Sequence, residues 1–243
     1  MTFSGADLSG ADLSRAILSG ARFLDADLRD AELDRALLLG AQFQGASLIG
    51  AQLSETYLNN ANLTGAHLSD ANFFAATLSL AELRGADLSS AGLRHANLSG
   101  AYLNDANLSR ASLNDAELRG AVLDRAILSF ADFRDADLRG SNLRGANLRQ
   151  ADLRQADLRQ ADLTHADLAN ANLQGAELNR TQLSSVDLTS VQDLDPSRIR
   201  ETCGDSATTL PKDIPRPDHW LDRPWSKDAP LDDGCPPWEA PSD

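Results

Sequence analysis

The chain has 243 residues and carries 36 Asp and Glu against 22 Lys and Arg, a formal net charge of −14. That acid excess disfavours contact with nucleic-acid phosphate, which depends on Lys and Arg, and suits a solvated surface or a basic protein partner. No apolar run approaches the ~20 residues that cross a membrane, and MTFSGADLSG lacks the basic-then-apolar layout of a secretory signal; the expected location is the cytoplasm.

From Phe3 to Leu188 every fifth residue is Leu or Phe, and the position two before it is Ala except at Met1, Thr56, Ser141, Thr181 and Val186. The frame never slips, and residues 151–168 read ADLRQADLRQADLRQADL. A helix turns ~100° per residue, so a five-residue period carries successive leucines around the cylinder and forms no stripe. An extended segment fits better: residues two apart face the same way, so Ala and Leu point inward and the residue between them faces water. The last two positions, often Ser-Gly, Arg-Gly or Asn-Asp, suit a corner. A short strand and a corner, repeated, form a coil that needs neighbours above and below it.

The unbroken A(D/N)LXX spelling resembles the pentapeptide-repeat family. The resemblance implies an all-β fold, a right-handed quadrilateral β-helix with four pentapeptides per coil and the central Leu or Phe inside. The repeat is assigned to residues 1–190. All nine prolines, all three tryptophans and both cysteines fall after residue 190, so residues 191–243 are assigned to a capping helix and a Pro-rich tail.

With four pentapeptides per coil, residues 20 apart stack, and each wall can be named by its first central residue: Phe3, Leu8, Leu13 and Leu18. The Leu8 wall holds seven acids to three bases and the adjacent Leu13 wall eight to five, whereas the other two walls are near balance. Candidate partner-binding acids are therefore Asp7, Asp27, Asp30, Asp70 and Asp87 on the Leu8 wall. Those on the Leu13 wall are Asp12, Glu32, Asp34, Glu55, Asp115, Asp132 and Asp135. The first five repeats of the Leu18 wall contain no charge. There Ile17, Leu37, Leu39, Tyr57 and Leu80 form either lateral packing of strand formers or an interface with a homodimer mate or another protein. Arg134, Arg139, Arg144, Arg149, Arg154 and Arg159 recur at successive corners beside Asp132, Asp137, Asp152 and Asp157, a pattern read as self-neutralising surface pairs rather than an anion belt.

Catalytic chemistry is not expected. His67, His95, His165 and His219 lie in different coils or in the tail, Ser occurs at corners without a base beside it, and a tube filled with Leu offers no cleft. No metal or cofactor is expected. In the tail, Asp195-Pro196-Ser197 predicts a helix start and Gly204 a stop; Trp220 and Trp225 would anchor the extended stretch, and the last dozen residues would be disordered. Cys203 and Cys235 are expected as free thiols for a cytosolic chain, with a bridge as the alternative.

The function expected is a non-enzymatic scaffold that binds protein partners through its walls. The family resemblance supplies an alternative, since some members mimic duplex DNA, bind DNA gyrase and protect it from quinolones or other poisons. Ten coils at ~4.8 Å make a rod of about 45 Å. Duplex DNA of that length carries roughly 27 charges, against a net −8 for residues 1–190.

Overall fold

The computed structural model describes residues 1–218 and Trp220; His219, Trp225, Cys235 and the terminal residues expected to be disordered lie outside the described residues. The chain is a right-handed, four-sided β-helix. The outward residue of each repeat forms a parallel bridge to the residue 20 further on, as in Thr2 to Arg22, Asp7 to Asp27, Asp12 to Glu32 and Ile17 to Leu37. One coil is therefore four pentapeptides, as the resemblance implied, and each wall is a column of single bridges rather than a long strand.

The repeat Ala61-Asn62-Leu63-Thr64-Gly65 shows why this spelling is required. The Ala61 N–H donates to the Leu58 carbonyl at 2.9 Å and closes the preceding corner. The Asn62 N–H donates back to Ala41 O at 2.8 Å, and the Leu63 N–H donates forward to Glu82 O at 2.7 Å. The Gly65 N–H reaches Arg84 O at 3.0 Å. Only the Thr64 N–H finds no carbonyl, and it donates to the Asn62 side-chain Oδ1 at 3.0 Å. The same short loop recurs at Asp7, Asp12, Asp87, Asn107, Asp132 and Asp157. The preference for Asp or Asn is thus an Asx-turn that satisfies the one amide the ladder leaves over, and not merely a taste for a wet strand face.

The corner explains the last position. Each is a β-turn whose third residue has positive φ, the type II signature. Gly65 adopts +65°, and non-glycine residues follow suit, among them Asp30 at +56° and Leu80 at +59°. Glycine takes this conformation without steric cost.

Inside the tube, the Ala and Leu or Phe positions are fully enclosed from Ala21 onward, while Phe3, Leu8 and Leu13 in the first coil are half-buried. Phe3, Phe23 and Phe43 stack face to face at 5.0 and 4.8 Å, so the 20-residue register is visible in ring packing. Thr56 and Ser141 replace Ala without orphaning a hydroxyl: each donates to the carbonyl three residues before it, Leu53 at 2.6 Å and Leu138 at 2.8 Å.

Past residue 190 the ladder bends but does not stop. A single helical turn, α1 (Pro196–Ile199), takes the place of the next Leu18-wall repeat, with Asp195 as N-cap accepting the Ser197 N–H at 2.8 Å. Its end differs from the sequence expectation. The turn closes at Ile199, five residues before Gly204, because Cys203 must be extended to rejoin the ladder, donating to Thr181 O and accepting from the Leu183 N–H. Bridges then run from Gln182 to Cys203 and from Asp187 to Thr209. Gly204 has a different job: a Cβ there would lie 2.6 Å from the Trp220 indole, which donates its Nε1–H to Thr202 O at 2.9 Å. With Ile199 and Ile214, Trp220 is buried over the last coils. Cys203 is disulfide-bonded rather than the free thiol expected; that expectation rested on an assumed cytosolic compartment, which holds no information about proximity in space.

Removing one corner acceptor should cost about 1 kcal/mol, the usual net worth of a hydrogen bond. Asn62→Ala is expected to lower the stability measured by urea unfolding by about that amount, while Asn62→Asp, which keeps the acceptor, stays near the parent. Equal losses for both substitutions would contradict the role assigned to this side chain.

Candidate functional site

Because the interior is filled, only the walls and corners vary from coil to coil, and recognition must be sought there. An open, polar recess beside Phe130, lined by Gln150, Asp152, Arg154 and Asn170, interrupts the walls without enclosing a ligand-sized chamber. Among the described residues no group of three or more His, Cys, Asp or Glu is placed to hold a metal ion.

The twelve candidate acids divide in two. Asp27, Glu55, Asp115 and Asp132 face arginines: Arg29, Arg35 at 2.9 Å, Arg94 at 3.6 Å and Arg134 at 2.6 Å. Asp7, Asp12, Asp30, Glu32, Asp34, Asp70, Asp87 and Asp135 have no ion pair among the described residues. Seven of these eight lie before residue 90 on the adjacent Leu8 and Leu13 walls, where Asp12 bridges to Glu32 and Asp7 to Asp27. Several also work for the fold. Asp7 and Asp12 accept the Ser9 and Ser14 corner amides, and Asp34 accepts the Ser54 N–H at 2.8 Å from the next coil, where Gln52 cannot form the Asx loop.

Towards the C-terminal end of the repeat most acids are matched among the described residues, Glu117, Asp135 and Asp187 excepted. Arg134 and Arg139 each grip the Asp two residues before at 2.6 Å, and Arg139 also meets Asp157 one coil on at 3.3 Å. Arg144 pairs with Asp162 at 3.3 Å and Arg149 with Asp167 at 3.1 Å; Arg154 and Arg159 close on Asp152 and Asp157. All six arginines of the run are paired, in line with the self-neutralising reading. Exposed pairs of this kind contribute little to stability, but they erase net charge. Among the described residues, acids without a salt bridge are thus more frequent in the N-terminal half of the rod, where Arg15 and Arg22 also form none, and residues 1–95 carry a net −5 against −3 for residues 96–190.

On the Leu18 wall, Ile17, Leu37 and Tyr57 stack through consecutive bridges. Ile17 is 74% exposed, Leu39 46%, Tyr57 47% and Leu80 52%, while Leu37 is half-buried between its neighbours. Other exposed apolar residues, Ile49, Phe74, Ile127 and Phe130, were not singled out from the sequence. Their frame positions were readable, since each falls at an outward or corner site; what was missing is any contiguity with a second apolar side chain 20 residues away.

Hydrogen bonding holds several wall carboxyls below their ordinary values: Asp7 through the Ser9 hydroxyl, Asp12 through the Ser14 N–H, Asp27 through the Arg29 side chain and Glu55 through Arg35. A carboxyl lowered in the folded state stabilises fully above its unfolded pKa, about 3.9 for Asp and 4.3 for Glu, and loses that contribution as pH falls through the folded value. The melting temperature should be flat from neutral pH to about pH 5 and decline below about pH 4. A decline that begins near pH 6 would point to histidine rather than to these carboxylates.

Comparison with known proteins agrees with this architecture. A family model described as Pentapeptide repeats matches in eight copies that together span residues 2–190. No curated protein matches. Among solved structures, HetL, a pentapeptide repeat protein involved in heterocyst differentiation regulation from the cyanobacterium Nostoc sp. strain PCC 7120, is 35% identical, with 76% of this chain and 84% of that one covered and a TM-score of 0.75. The pentapeptide repeat protein alr5209 from Nostoc PCC 7120 is 36% identical over 47% of this chain and 84% of that one, with a TM-score of 0.32. QnrB1, a plasmid-mediated fluoroquinolone resistance protein, is 18% identical over 85% of this chain and 92% of that one, with a TM-score of 0.44. The chain belongs to the pentapeptide-repeat family.

Proposed function

We propose that this protein is a non-enzymatic scaffold that holds a basic protein surface against the N-terminal half of its Leu8 and Leu13 walls. The observation that carries this reading is the separation of charge along the rod. Among the described residues Asp7, Asp12, Asp30, Glu32, Asp34, Asp70 and Asp87 form no salt bridge, whereas each arginine from Arg134 to Arg159 closes on a carboxylate. A fixed lattice of unpaired carboxylates steers and orients a cationic partner at little conformational cost, since the ladder holds the backbone that carries them. The likeness to HetL, involved in heterocyst differentiation regulation, supports a regulatory form of this role.

The alternative is a DNA-mimicking gyrase binder that protects against quinolones or other gyrase poisons. The two adjacent acidic walls favour it, and the charge magnitude weighs against it: a net −8 over the repeat is less than a third of the roughly 27 charges on duplex DNA of equal length. A supercoiling assay with gyrase separates the two, because the mimic must inhibit supercoiling or rescue it from a quinolone and the scaffold need do neither.

To test the scaffold itself, a photo-crosslinking residue placed at Ser54 beside Asp34, and another at Thr189 on the opposite end of the rod, would be compared in the native host. Protein adducts are expected from Ser54, and they should be reduced at least about tenfold when Asp30→Asn, Glu32→Gln and Asp34→Asn are combined. Equal adducts from both positions, or adducts indifferent to the charge removal, would reject the acidic wall as the docking surface.

A further inference from the structure

The Leu18 wall changes character halfway along. Its first five repeats are uncharged, and beyond them Arg119, Asp137, Arg139, Asp157 and Arg159 interlock as a ladder in which each coil pairs with the next. We propose that the uncharged half is a self-association surface, on which a second copy of this chain docks antiparallel through Ile17, Leu37, Leu39, Tyr57 and Leu80.

Charge selects the occupant. Two copies of a chain with net charge −14 repel each other, and over the first five coils each of the other three walls carries charged side chains: Asp25 and Glu82 on the Phe3 wall, Asp30 and Asp70 on the Leu8 wall, Glu32 and Asp34 on the Leu13 wall. Only the Leu18 wall lets like meet like without opposing carboxylates. A cationic partner, by contrast, gains nothing there.

Leu80 supplies a second argument. It stands in the left-handed region at φ +59°, in a column where Gly20, Gly40, Gly100, Gly120 and Gly140 meet the same demand. A non-glycine residue there costs about 1–2 kcal/mol, and Leu80 remains 52% exposed, its side chain lying over Gly100 in the next coil, where a Cβ would leave it no room. An exposed leucine held in a glycine conformation has little to offer the isolated rod, and an interface would bury it.

Symmetry fixes the arrangement. A two-fold axis across the wall between Leu37 and Tyr57 sets the first coil opposite the fourth and the second opposite the third, so the strip is complementary to itself. The charged ladders then project outward past the overlap. A parallel pair would instead face Asp137 with Asp137. The four overlapping coils at ~4.8 Å and about three extended residues of width give roughly 190 Å² per copy, so about 400 Å² in all against the ~1,000 Å² of a stable interface. The dimer is therefore weak and concentration-dependent.

The surface is distinct from the acidic walls, and its test does not depend on the partner proposed for them. Sedimentation velocity on the full chain over a wide concentration series, at high salt to screen repulsion, should show the average mass rising from monomer to dimer. Tyr57→Asn and Leu39→Asn place residues that the same columns already carry at Asn97 and Asn59, and together they should weaken association at least about tenfold. Leu80→Gly should weaken association while leaving unfolding stability unchanged or higher, an opposition that a purely structural leucine would not produce. Asp34→Asn should leave the dimer intact. A wild-type chain that stays monomeric throughout, or variants that associate like wild type, would overturn the proposal; so would a dimer lost on Asp34→Asn instead.

Discussion

Every pentapeptide must place five backbone N–H groups, and four of them are placed by the coil itself. In Ala61–Gly65 the carbonyls of Leu58, Ala41, Glu82 and Arg84 take four amides, and the fifth is left at the first corner residue. A tube whose wall is one residue thick has no further carbonyl to offer. The side chain of the outward residue must supply the acceptor, and Asn62 does so. Aspartate and asparagine are short enough to reach two residues ahead without bending the wall, which is why longer side chains at the same position, such as Gln52, need help from Asp34 in the neighbouring coil.

That constraint gives the acids two roles with different consequences. Asp7 and Asp12 are acidic partly because the corner asks for an acceptor, so acidity alone is weak evidence of a partner. Position distinguishes them. Where Arg follows in the corner, as at Arg134 and Arg139, it folds back onto the same Asp and that pair is neutral. Where Ser follows, as at Ser9 and Ser14, the charge stays open to solvent or to another protein. A change of one corner residue from Ser to Arg thus switches the surface without touching the fold.

The fold was legible in the sequence because it is written in each repeat: the five-residue frame, the Ala two before Leu, and the spacing of Phe3, Phe23 and Phe43, which emerge as a stacked column. The Asx role of the outward acids was not read, because their exchange with Asn looks the same for a solvated face and for a hydrogen-bond acceptor. The tail was half legible. Asp195 and Pro196 announced α1, yet its stop lay with the ladder that Cys203 rejoins, and the service of Gly204 to Trp220 joins residues sixteen positions apart with no repeat frame between them. Ion pairing across coils, as between Arg149 and Asp167, follows from the 20-residue register, whereas the lack of a salt bridge at Asp30 or Asp70 among the described residues depends on side-chain geometry that no spacing rule contains.

Hydrogen exchange resolved to single amides tests the N–H accounting most directly. The account predicts a five-residue rhythm: protected amides at the Ala, outward, Leu and second corner positions of each interior repeat. First-corner amides should be slowed after Asp or Asn, as at Thr64 and Ser109, and fast after Leu37 and Tyr57, at Leu39 and Asn59. Uniform protection of all corner amides whatever residue precedes them, or a rhythm of 3.6, would contradict it.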